Sequence, residues 1–63
     1  MRKLYRIGQR VEARNYADTA HPKSFWPGWI AGYRVHEGEE QYLIDWRAGP
    51  RYAEQWTSVE DIK

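Results

Sequence analysis

The stretch Gln41-Tyr42-Leu43-Ile44-Asp45-Trp46 alternates with period two, placing Tyr42, Ile44 and Trp46 on one face and Leu43 and Asp45 on the other. This is the signature of a half-buried strand, and period two dominates over helical spacing along the rest of the chain. Ile7, Gln9, Val11 and Ala13 alternate with Gly8, Arg10, Glu12 and Arg14, predicting a first strand over residues 9–14. A second strand is expected after Pro27, carrying Trp29, Ile30, Ala31, Tyr33 and Val35. Gly28 and Gly32 within it predict a bulge or a sharp bend.

Turn chemistry separates these runs. Asn, Asp, Thr, His and Pro between residues 15 and 23 predict a long loop. His36-Glu37-Gly38-Glu39 reads as a hairpin turn with Gly38 placed for positive φ. Arg47-Ala48-Gly49-Pro50 reads as the next turn, followed by a fourth strand over 52–57. Ser58-Val59-Glu60-Asp61 has the form of a capping box, with Ser58 as N-cap and Asp61 in the position of the usual Glu or Gln. It predicts one helical or 3-10 turn that tucks Ile62 under the sheet. The expected fold is all-β: a small SH3-like bent barrel of four to five antiparallel strands with a short C-terminal helical turn. Residues 1–6 form a basic N-terminal arm and residues 7–63 the domain.

A chain of 63 residues makes one domain at most, and so short a chain buries only about 60% of its unfolded surface. With no cysteine, disulfides and Cys-containing zinc sites are excluded, so packing must hold it together. Four Trp, five Tyr and one Phe supply the means. No apolar run approaches the length of a membrane span, and residues 1–7 lack the apolar segment of a signal peptide. A soluble, intracellular monomer is expected.

The net charge of +1 hides an asymmetry. Arg2, Lys3, Arg6, Arg10 and Arg14 face only Glu12 in the first 14 residues. From residue 36 on, Arg47, Arg51 and Lys63 are outnumbered by Glu37, Glu39, Glu40, Asp45, Glu54, Glu60 and Asp61. The commoner explanation is solvated faces. The sharper one is an acidic side that attracts a cationic peptide.

Catalysis has little to work with. His21 and His36 lack spaced partners for a metal site, and Ser24 and Ser58 sit in no nucleophile motif. Glu39 and Glu40 read as a solvated turn pair, and no phosphate-cradling glycine loop is present. Neither an enzyme nor a cofactor is expected. Two non-catalytic alternatives remain beside peptide reading. One is DNA or RNA binding through the basic N-terminal segment, with Arg2, Arg6 and Arg10 as contacts, although the aromatic strands sit among acids. The other is an assembly module with Trp26 or Trp29 at the contact.

Four segments, taken in order, resemble the Royal family of Tudor, Tudor-knot and chromo-barrel domains. They are Ile7-Gly8-Gln9-Arg10-Val11-Glu12-Ala13-Arg14, Phe25-Trp26-Pro27-Gly28-Trp29-Ile30, Tyr42-Leu43-Ile44-Asp45-Trp46 and Arg51-Tyr52-Ala53-Glu54-Gln55-Trp56. The resemblance covers residues 7–62. It implies an aromatic cage that binds methylated lysine or arginine in histone tails, and with it a nuclear location. By position it assigns the cage to Trp26, Trp46 and Tyr52, with Tyr16 from the long loop as a fourth wall. Asp45 and Glu54 are the acids it places near the cage, although strand parity puts Asp45 opposite Trp46. Phe25 and Trp56 match structural positions, and Trp29 alternates to the outside. The turn at 47–50 lacks the extra aromatic and the Asn of dimethylarginine-binding Tudors, which points to lysine.

Overall fold

The computed structural model describes residues 4–18, 20, 24–47 and 54–63. Among these residues are four strands, β1 (Arg10–Arg14), β2 (Phe25–His36), β3 (Glu39–Asp45) and β4 (Gln55–Ser58), followed by one 3-10 turn, Val59–Asp61. The strands form one antiparallel sheet in the order β1-β2-β3-β4. The sheet curls into a half-barrel whose far edges meet through the C-terminus. Ile62 bridges to Ala13, and Lys63 N–H donates to Glu12 O over 2.7 Å while Glu12 N–H returns to Lys63 O over 3.4 Å. The fold is the small, bent, all-β barrel the alternation predicts.

The length of β2 makes the bend possible. Its first residues pair with β1, from Arg14↔Phe25 to Arg10↔Trp29, and from Trp29 onward it pairs with β3. Trp29 alone belongs to both ladders. The register slips between Ile30 and Gly32, so Ala31 is the extra residue of a bulge, where strong local twist is expected. β2 also starts earlier than the sequence suggests, at Phe25 and not after Pro27. Pro27 is tolerated because it lies opposite Glu12, whose backbone N–H and C=O turn the other way, to Lys63.

Strand alternation delivers the core. Val11, Ala13, Ile30, Tyr42, Ile44, Trp46 and Ile62 are buried, with Tyr5, Trp26, Tyr33 and Val59 packed against them. Gly28 shares this face: a Cβ there would lie 2.5 Å from Ile44 Cγ2 and 3.2 Å from Trp46 Cε3, so only hydrogen leaves room for both side chains. The β2–β3 hairpin turns on Glu37 and Gly38, with φ of 51° and 81°. Two positive φ values in a two-residue loop match the twist of the flanking strands.

One local expectation is corrected. The capping box does not form, for the Ser58 side chain makes no cap bond to the 3-10 turn. Its backbone N–H donates to the Tyr16 hydroxyl, and the Asp61 carboxylate accepts from that same hydroxyl, so a long-range partner displaces the local one. Phe25 and Trp56, matched to structural positions, pack on the sheet outside the buried core. Parity carries both to the outer face, where Trp56 covers Leu43 and passes within 3.6 Å of the Cβ position of Gly32. Among the described residues no helix is long and apolar enough to cross a membrane.

Candidate functional site

The loop after β1, the start of β2 and the end of β3 converge on two indoles. Trp26 projects from the inner side of β2 opposite Ala13, and Trp46 follows the last residue of β3 on the Tyr42–Ile44 face. Their ring centroids are 6.1 Å apart at an interplanar angle of 69°, an edge-to-face arrangement. Trp46 is 5% exposed and Trp26 is half-buried. Trp26 Nε1–H donates to Asp18 Oδ2 over 3.2 Å, which brings a carboxylate to the rim of the pair.

Asn15, although 3% exposed, is satisfied within the loop that presents Asp18. Its Oδ1 accepts from Ala17 N–H over 2.9 Å and its carbonyl from Asp18 N–H over 3.1 Å. These are the bonds of an Asx turn. Gln55 anchors the loop from the opposite strand: its Nε2 donates to Arg14 O and its Oε1 accepts Tyr16 N–H, over 2.9 and 3.0 Å. Asp18 and Gln55 escaped the sequence reading because an Asp in a polar loop and a Gln in a strand carry no local signal of a distant partner.

The remaining expected site residues are dispersed. Tyr16 directs its hydroxyl at the C-terminal turn, donating to Asp61 Oδ2 over 2.6 Å. Burial first, and then this hydrogen bond, push its phenol up to about 12. Asp45 lies on the face opposite Trp46, paired with Trp29, and its Oδ1 accepts Arg47 N–H over 3.0 Å. Glu54 is exposed just before β4. Arg6 is exposed in the N-terminal segment, and Arg10 pairs loosely with Glu12 at 3.8 Å. Tyr52 and Arg2 lie outside the described residues, as does most of the turn expected at 47–50.

A concavity lies against the N-terminal segment. It is a cleft of about 590 Å³ whose walls include Leu4, Tyr5, Ile7, Tyr33 and Tyr42. The buried Tyr42 hydroxyl accepts the backbone N–H groups of Leu4 and Tyr5 over 2.7 and 3.3 Å, which straps the segment down. Tyr5 and Tyr33 each place their centroid 5.1 Å from that of Tyr42. Burial and a hydrogen bond to Glu40 raise the phenol of Tyr33 above its ordinary range.

The outer face carries its own pattern. Arg47 Cζ lies 4.2 Å from the centroid of Trp29 and Arg34 Cζ 4.3 Å from that of Trp56. Lys63 Nζ lies 4.3 Å and Arg14 Cζ 5.5 Å from the centroid of Phe25. Among the described residues no group of His, Cys, Asp or Glu is arranged to hold a metal ion. No protein-family model, curated protein or solved structure matches this chain.

Proposed function

We propose that this barrel is a non-catalytic reader that takes a methylated lysine of a basic, histone-like peptide against Trp26 and Trp46. The observation that supports the reading is the near-perpendicular indole pair with the Asp18 carboxylate on its rim. A methylammonium keeps its charge but sheds hydration, so an aromatic face stabilises it by roughly 0.5 to 2 kcal/mol per well-placed ring. A carboxylate beside the ring accepts the N–H that mono- and dimethyl-lysine retain and trimethyl-lysine lacks. This favours the lower methylation states. The reading carries with it a role in chromatin and a nuclear place of action, and the Royal-family resemblance assigns Tyr52, outside the described residues, to the same cage.

The test is an NMR titration of the chain with unmodified, mono-, di- and trimethylated lysine peptides, following the four indole N–H signals. Selective shifts of Trp26 and Trp46 with a methylated peptide, abolished in Trp26→Ala, are expected. Equal response to the unmodified peptide, or no shift at either indole, would sink the reading.

A further inference from the structure

The acidic and aromatic stretches of the sequence stand apart from most of its basic residues, yet folding brings a cation over each outer-face ring. Phe25, Trp29 and Trp56 occupy the side of the sheet away from the core, paired with Arg14, Arg10 and Leu43 respectively. The cations come from separate places: Arg14 on β1, Arg34 on β2, Arg47 beyond β3, and Lys63 at the C-terminal end. Carboxylates temper them. Asp61 is 3.5 Å from Arg14 Nε, and Asp45 accepts the backbone N–H of Arg47. Arg34, by contrast, donates from Nε to the neutral amide of Gln41 over 2.7 Å, and Gln41 in turn bonds Glu39.

We infer that this outer face binds single-stranded nucleic acid, with bases stacking on Trp29, Trp56 and Phe25 and phosphates taken by Arg34, Arg47 and Lys63. Flat half-buried rings a few residues apart on a sheet offer stacking platforms that any base can use, and cations beside them meet the backbone. A cation over a half-buried surface ring gains less than a base stacked on that ring, and the displaced guanidinium then gains a phosphate. An acidic peptide would use the cations but leave the rings unstacked. The surface is separate from Trp26 and Trp46, so the two proposals stand or fall independently.

The experiment titrates the full chain with a labelled single-stranded oligonucleotide, the matching duplex and polyglutamate, reading anisotropy and the indole N–H signals. The single strand is expected to bind most tightly and to shift Trp29 and Trp56 while leaving Trp26 and Trp46 in place. Neutralising three phosphates gives affinity a log–log salt slope of about −2. Arg34→Gln with Arg47→Gln should weaken binding by about tenfold and leave the response to a methylated peptide unchanged. Polyglutamate binding as tightly as the oligonucleotide, or shifts of Trp29 and Trp56 on raising protein concentration alone, would overturn the inference in favour of an acidic partner or a second copy. Absence of binding at low salt would overturn it outright. The wild-type indole shifts decide the matter even where a variant fails to fold.

Discussion

The Tyr16 hydroxyl donates to Asp61 Oδ2 over 2.6 Å and accepts the Ser58 N–H over 3.2 Å, joining the loop after β1 to the last turn of the chain. Through Lys63 and Glu12 the same turn closes the half-barrel, so the contact braces the seam of the fold.

This contact predicts alkaline sensitivity. The folded-state phenol sits at about 12 against an ordinary 10.0, chiefly through burial and then through its bond to Asp61. A proton held more tightly in the folded state stabilises it fully below pH 10, and that stability fades as pH rises towards 12. Denaturant midpoints measured across this window should fall more steeply for the wild type than for Tyr16→Phe. Parallel slopes would remove Tyr16 from the account.

Gly28→Ala should destabilise by about 1–3 kcal/mol, as an extra methyl in a filled core does. The new Cβ would press on Ile44 and Trp46, both of which are buried. Thermal or urea unfolding checks it, and a shift of the Trp46 indole signal should accompany the loss.

The hairpin holds Glu37 at φ 51°, a region that favours Asn or Gly over Glu. Glu37→Asn should therefore stabilise by about 0.5–1 kcal/mol, a part of the roughly 1–3 kcal/mol a non-glycine residue costs there, because Asn enters this region more readily than Glu. The 3.7 Å contact from His36 to Glu37 is exposed and offsets little of the gain. A higher urea midpoint with an unchanged m-value is the expected readout.

Tyr42→Phe keeps the ring in the core but removes the acceptor for the Leu4 and Tyr5 N–H groups. The expected cost is about 1 kcal/mol. Amide exchange at Leu4 and Tyr5 should accelerate while the β2–β3 ladder stays protected. Uniform acceleration across the sheet would mean that the hydroxyl supports the whole core.

The strands were legible in the sequence because alternation and turn chemistry are local. Tyr42, Ile44 and Trp46 had to share a face once that segment was extended, and Gly38 had to sit near a turn. The bulge was legible as a glycine pair, and the buried position of Ile62 as an apolar residue at the end of a polar turn. The early start of β2 was hidden by Pro27, whose penalty depends on which neighbouring backbone faces it. Ser58 and Asp61 looked like a self-contained cap because the competing Tyr16 hydroxyl is 42 residues from Ser58 in sequence.

Sequence alone thus determined the class of fold and the shared inward face of Tyr42, Ile44 and Trp46, since both follow from period two in a short chain without cysteine. Tertiary structure alone decided what stands beside each ring. Trp26 meets Trp46 and Asp18, while Trp29 meets Arg47 and Trp56 meets Arg34. Those pairings depend on register, on the slip at Ala31 and on the curl that brings Lys63 back to Glu12, and none of these is carried by a local stretch of chain.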